Sequence, residues 1–265
     1  MADDQPMTAA KRSWPGWLAC AGIGLLAGFF SGLFGVGGGT VIVPLLTVAG
    51  FDMRKASGTS LAAIVPTAVA GVVSYAVNGW VDWLAAGLIV VGSVAGAQLG
   101  SKLLGSLPQR VVRWAFVAFV AAVVVSLFVV VTARDSHMAI DGWLGAGLVL
   151  LGLGVGVLSG LLGLGGGIVV VPMLILAFGA SDLVAKGTSL AMMTPTAISG
   201  TVGNYRRGNV DLAAAAVVGL AACLTTFLGA RVAAWVDPAI GNGLFAAFLA
   251  FVAVRMARDA MRRND

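Results

Sequence analysis

Charge is what this sequence has least of. Asp, Glu, Lys and Arg make up 10% of its 265 residues, against 59% apolar types. Soluble domains carry roughly 25% charged residues. A surface this poor in charge cannot be kept in water, so the chain belongs in a bilayer. Cysteine is nearly absent: Cys20 and Cys223 both lie inside apolar stretches, which points away from a disulfide framework and from a metal site. Histidine occurs once, as His137, between two apolar blocks. No Asp, Glu or His stands in the middle of an apolar stretch, so no proton-relay carboxylate can be named. The glycine-rich segments "GVGGGT" and "GLGGGI" lack the Lys-Ser/Thr of a nucleotide-binding loop. Neither an enzyme nor a cofactor is expected, and the basic residues read as topology signals rather than as a nucleic-acid surface.

What is present is apolar sequence in blocks. Stretches 17–34, 41–51, 59–77, 83–101, 111–133, 143–162, 168–180, 188–203, 212–230 and 239–254 recur along the whole chain. Several reach the ~20 residues that cross a hydrocarbon core. The first follows Lys11 and Arg12 but continues into glycine-rich apolar sequence without a cleavage site, so it reads as a retained span. The expected fold class is an all-α polytopic membrane protein.

Glycine, at 38 residues, exposes a duplication. GLFGVGGGTVIVPLL (32–46) returns as GLLGLGGGIVVVPML (160–174), offset by 128 residues. ASGTSLAAIVPTAVAG (56–71) returns as AKGTSLAMMTPTAISG (185–200), offset by 129. Gly79, Val81 and Asp82 then meet Gly208, Val210 and Asp211. Matching glycines alone can arise by chance, but G-T-S-L-A followed by P-T at equal spacing marks two copies of one unit.

The basic residues decide how the copies are related. If 17–34 and 41–51 form a hairpin turning at the glycine knot, each half holds that hairpin and three further spans, and the halves are inverted. Thirteen basic residues (11, 12, 54, 55, 102, 110, 113, 206, 207, 255, 258, 262 and 263) then lie on one side, and Arg134, Lys186 and Arg231 on the other. Were 17–51 one broken span, the halves would be parallel and the split nine to seven. The positive-inside rule selects the hairpin and places both termini in the cytoplasm. Length agrees, since eleven residues rise about 16 Å as a helix, roughly half the hydrocarbon thickness. The organisation expected is a tail over 1–16, a first repeat over 17–133, a connector over 134–142, a second repeat over 143–256 and a tail over 257–265.

Glycines at a turn leave backbone N–H groups open, and a helix that follows adds the positive end of its dipole. Gly37, Gly38, Gly39 and Thr40, with Gly165, Gly166 and Gly167, are therefore candidates for an anion cradle at the repeat interface. Single glycines such as Gly28 and Gly100 read instead as close helix packing. The hydroxyls of Thr59, Ser60, Thr188 and Ser189 either cap helix starts or donate to an oxyanion. Lys186 either draws an anion from the outer face or sits among headgroups, and Asn204 is a candidate for the pathway. Pro66-Thr67 and Pro195-Thr196 fall mid-segment and read as kinks, whether as hinges or as openings of the backbone to a cavity. Asp82 and Asp211, at segment ends, read as helix caps.

The duplicated pattern G-x-x-S-G-x-x-G-x-G-G-G-x-x-x-x-P, then A-x-G-T-S-L and P-T, resembles the TauE/SafE sulfite exporter family, also called the toluene-sulfonate uptake permease family. The resemblance runs from about Gly16 to Arg255. It implies a transporter in the plasma (inner) membrane of a prokaryote, exporting sulfite, thiosulfate or a small organosulfonate. It falls on Gly35–Gly39, Gly163–Gly167, Gly58–Ser60, Gly187–Ser189, Pro66 and Pro195. The expected function is a secondary transporter working by alternating access, with a small sulfur oxyanion and the lipid bilayer as its partners. A passive anion channel of the same architecture is the alternative. A membrane thiol-redox protein is a weaker one, because Cys20 aligns with Leu148 and Cys223 with Val94, so the cysteines are not repeat mates.

Overall fold

The computed structural model describes residues 14–108 and 142–237, with scattered helical positions between 110 and 121 and between 240 and 258. The expected spans 111–133 and 239–254, the connector and most of both tails lie largely outside the described residues. The elements in order are α1 (Trp14–Phe34), α2 (Gly39–Val48), α3 (Met53–Ala76), α4 (Trp83–Ser106), α5 (Gly142–Leu162), α6 (Gly167–Leu176), α7 (Asp182–Tyr205) and α8 (Leu212–Trp235). The protein is all-helical among the described residues. Five of these helices, α1, α3, α4, α5 and α8, contain stretches long and apolar enough to cross a membrane. The half-helices α2 and α6 have 10 residues each, about 15 Å of rise.

Helix starts differ from the sequence reading in one informative way. The G-T-S triplets lie inside α3 and α7, so their hydroxyls cap nothing. Asp52 accepts from Lys55 N at 3.0 Å, and its repeat mate Ser181 accepts from Val184 N at 3.4 Å, which starts both helices upstream. Asp82 and Asp211 cap α4 and α8, accepting from Ala85 N and Ala214 N at 2.9 Å each.

Side-chain polarity runs opposite to that of a soluble protein. Leu18, Leu26, Val91, Leu150, Leu220 and Leu224 are exposed, while Ser31, Thr40, Ser57, Thr59, Ser60, Thr188 and Ser189 are buried. Trp83, Trp143 and Trp235 stand exposed at helix ends, where indoles favour the membrane–water boundary. Lipid offers the exterior leucines a solvent and the interior hydroxyls none, so the polar groups turn inward.

Glycine makes the closest helix contacts. Gly24, Gly28 and Gly32 of α1 press on the carbonyls of Val218, Ala222 and Thr226 of α8. Gly152, Gly156 and Gly160 of α5 press on those of Ile89, Ser93 and Ala97 of α4. Any Cβ there would enter the neighbouring backbone, as small-residue packing in membranes requires. The two pairings are repeat mates, so the halves clasp each other reciprocally: the first helix of each packs on the last described long helix of the other. The helices α3 and α7 pack together between these pairs.

Candidate functional site between the glycine turns

The chain leaves α1 and α5 through turns that only glycine makes readily. Gly35, Gly37 and Gly38 have φ of 69°, 70° and 76°, and Gly163, Gly165 and Gly166 have φ of 74°, 73° and 88°. Gly38 and Gly166 are the N-caps of α2 and α6 and offer no side chain. Val41 and Ile42 donate to Gly38 O at 2.9 Å, and Val169 and Val170 donate to Gly166 O at 3.1 and 3.2 Å. The amides ahead of them, Gly37–Thr40 and Gly165–Ile168, close no backbone hydrogen bond among the described residues.

The two turns abut. A Cβ on Gly39 would lie 2.7 Å from Gly163 O, and one on Gly167 would lie 2.7 Å from Gly35 O. The G-T-S serines tie them crosswise: Ser60 Oγ donates to Gly163 O at 2.7 Å, and Ser189 Oγ donates to Gly35 O at 2.9 Å. Thr59 Oγ1 accepts from Asp211 N at 3.0 Å and Thr188 Oγ1 from Asp82 N at 2.9 Å. These threonines are thus engaged at the starts of α8 and α4. Ile64 and its repeat mate Met193 fill the space beside Gly37 and Gly165, with the Met193 methyl against both glycines. The structure therefore brings the glycines and serines into one cluster, in a state that is closed at its centre.

Four hydroxyls in this region, those of Ser31, Thr40, Ser57 and Ser159, are buried without a hydrogen-bond partner among the described residues. Only Thr40 was singled out from sequence. Ser31 and Ser159 were visible as repeat mates, which is the signal that could have found them. Such groups are rare in native interiors, because a buried donor without an acceptor costs about 1–3 kcal/mol.

The remaining expected residues sit around this centre. Asn204 Nδ2 donates to Gly160 O at 3.3 Å, as Tyr75 Oη donates to the equivalent Gly32 O at 2.7 Å. Pro66 and Pro195 lie inside α3 and α7. The adjacent hydroxyls bond back one turn, Thr67 Oγ1 to Ala63 O at 2.8 Å and Thr196 Oγ1 to Met192 O at 2.7 Å, an arrangement that bends helices. Lys186 is not an exposed side chain. It is buried in the first turns of α7, 2.7 Å from Asp182, with its stem against Gly35. Asp182 escaped the sequence reading because it stands outside the apolar stretch 188–203.

A cavity of about 490 Å³ opens between the ends of α3 and α8, lined by Ser74, Asn78, Trp80, Arg231 and Trp235 among others. At the repeat-equivalent place Arg207 ties α7 to α4, donating to Ser101 Oγ at 3.2 Å and to Gly203 O at 2.5 Å. Among the described residues, Cys20 and Cys223 form no disulfide.

These features define a class: a polytopic α-helical membrane protein whose two homologous halves meet at paired, glycine-turned half-helices. The chain belongs to the TauE/SafE sulfite exporter family, whose model matches residues 2–127 and 148–265. It is 31% identical over 216 residues to the probable membrane transporter protein YunE of Bacillus subtilis, covering 71% of this chain and 78% of that one. A probable membrane transporter protein of Haemophilus influenzae is 27% identical over 258 residues, covering 90% and 97%. YdhB of Bacillus subtilis, also a probable membrane transporter protein, is 33% identical over 92 residues, covering 34% and 38%. No solved structure matches the chain.

Proposed function

We propose that this protein is a secondary transporter of a small sulfur oxyanion (sulfite, thiosulfate or an organosulfonate) in the plasma membrane of a prokaryote, with both termini cytoplasmic. One observation carries the reading. Two amide clusters at helix N-termini, each turned by glycines at positive φ, abut across the repeat, beside buried hydroxyls that have nothing to bond. Amides at a helix start attract anions through their free donors and the helix dipole. In a hydrocarbon-enclosed site they do so without the full cost of a buried charge.

The anion is held by the amides of Gly37–Thr40 and Gly165–Ile168. It enters when Met193 and Ile64 withdraw and Ser60 and Ser189 turn from the carbonyls to the ligand. Thr40, Thr59, Thr188, Lys186 and Asn204 complete the polar surround. The repeats are inverted, and one half rocks against the other around this point. A permanently open channel would need water through the place that Met193 and Ile64 occupy, which favours a carrier.

The test is thermal stabilisation of the purified chain by sulfite, thiosulfate, sulfoacetate, sulfate, phosphate and chloride, in wild type and Thr40→Val. Ligand at 100 times its dissociation constant stabilises by about 2.7 kcal/mol. Stabilisation is expected from a sulfur anion and from neither chloride nor phosphate. Thr40→Val removes a hydroxyl with no protein partner, so it is expected to leave the ligand-free melting temperature unchanged or raised. Its sulfur-anion affinity is expected to fall about tenfold, or 1.4 kcal/mol. A flat panel, or unaltered affinity in Thr40→Val, would sink the site.

A further inference from the structure

The second half carries a feature that the first half lacks. Asp182 and Lys186 stand one turn apart on α7, paired at 2.7 Å, with side chains 2% and 7% exposed. Their repeat mates are Met53 and Ser57. Both halves pack the same way here, since Ser57 lies against Gly163 as Lys186 lies against Gly35. The fold at this point therefore forms without charges, and a buried ion pair is weak evidence for a stabilising role. A buried ionisable pair in a membrane protein that the packing does not require points to function rather than to a structural role.

The pair is also incomplete. Asp182 Oδ2 takes the lysine, while Oδ1 is buried without a partner among the described residues. The ionisable group that α3 packs against α7 here is Tyr75, whose side chain lies against Gly187 and whose hydroxyl is committed to Gly32 O. From the loop before α4 comes Asp82, whose carboxylate caps Ala85 N and whose amide donates to Thr188. Neither offers Asp182 a second cation.

We propose that Asp182 is the proton-binding group of a proton-coupled anion carrier, and that it competes with the substrate for Lys186. This rests on the reading of the glycine turns as the anion site. With the site empty, Lys186 is neutralised by Asp182 and adds no attraction for an anion at the glycine turns. An arriving anion takes over the Lys186 ammonium, which breaks its contact with the carboxylate. Asp182 is then a buried charge with no counterion, and it takes one proton from water on its free Oδ1. The carboxylate becomes a carboxylic acid, Lys186 keeps its charge, and one proton accompanies each anion into the site. Anion and proton leave together when the pair re-forms, so flux follows the pH difference as well as the anion gradient.

The test uses the purified full chain in weakly buffered solution with sodium thiosulfate, a strong-acid anion that carries no proton of its own near neutral pH. Binding is read by thermal shift and proton uptake by a soluble pH indicator. Wild type is expected to take up about one proton per anion bound. Asp182→Asn is expected to bind about tenfold more tightly, with no proton taken up, because the amide no longer neutralises Lys186. The double variant Asp182→Met/Lys186→Ser copies the first half; it is expected to melt with the wild type when free of anion and to bind about tenfold more weakly. Binding without proton uptake in wild type, or uptake that persists in Asp182→Asn, overturns the coupling and leaves the anion site standing. No binding by wild type of thiosulfate or of the other sulfur anions of the thermal panel overturns both.

Discussion

Two halves of one chain, built from the same unit, agree wherever backbone meets backbone and part company at a few side chains. Both turn at three positive-φ glycines, both send a G-T-S serine to a carbonyl of the opposite turn, and both bond the preceding threonine to a helix-capping aspartate's amide. They differ where Met53 and Ser57 face Asp182 and Lys186, where Thr40 faces Ile168, and where an open cavity beside Asn78 faces the ties of Arg207. The duplicated contacts hold the interface. The single ones are free to specialise, because the interface survives without them in the other half.

That comparison can be broken at several depths. The deepest cut is Gly39→Val or Gly167→Val. A Cβ at either site would lie 2.7 Å from a carbonyl oxygen of the opposite turn, which rotamer changes cannot relieve. Each is expected to cost more than the ~1–3 kcal/mol of ordinary overpacking and to remove the monodisperse peak in detergent chromatography. If one variant is tolerated and the other is not, the turns are not equivalent. Next come Ser60→Ala and Ser189→Ala, each of which strips a buried carbonyl of its donor. Each is expected to lower stability by about 1 kcal/mol, to equal extents within error, by thermal melting. A large inequality would move one serine from the shared framework to the specialised set.

A smaller effect sharpens the contrast between the two ends. Arg207→Ala releases Ser101 Oγ and Gly203 O and is expected to cost under about 1 kcal/mol, since the group is only partly buried. Its signature is access rather than stability. A cysteine placed at Gly105, whose Cβ would lie 3.2 Å from Arg207 Cδ, is expected to react several-fold faster with a soluble maleimide once Arg207 is gone. Unchanged labelling would show that Arg207 closes nothing.

Much of this was legible in one dimension, and the reasons are local. The hairpin at Gly35–Gly39 follows from glycine's left-handed freedom and from a 10-residue half-helix too short to cross. The caps at Asp82 and Asp211 follow from the preference of carboxylates for helix starts. The close packing at Gly28 and Gly100 follows from the need of lipid-embedded helices for small contact residues. Three features were not legible. The G-T-S serine hydroxyls are spent on carbonyls 103 and 154 residues away, which no spacing rule anticipates. Met193, an unremarkable apolar residue within α7, is the group whose methyl meets both turns. Asp182 and Lys186 look like the edge of a span, because hydropathy registers position along a chain and not what folds over it.

By itself the sequence determined that the chain is a helical membrane protein, that it is duplicated, and where each half turns. Those properties depend on composition, on glycine's dihedral freedom and on periodic matches, all of which act within a few residues or are visible as repetition. Only the tertiary structure decided which polar groups are consumed by the interface and which stay unsatisfied. It did so by clasping α1 to α8 and α4 to α5, a reciprocal exchange that sets each glycine turn against the other half. Partnership is a property of pairs, and in a buried interior, where water satisfies nothing, the pairs that form among the described residues leave Asp182 Oδ1, Thr40 and the two repeat-mate serines open.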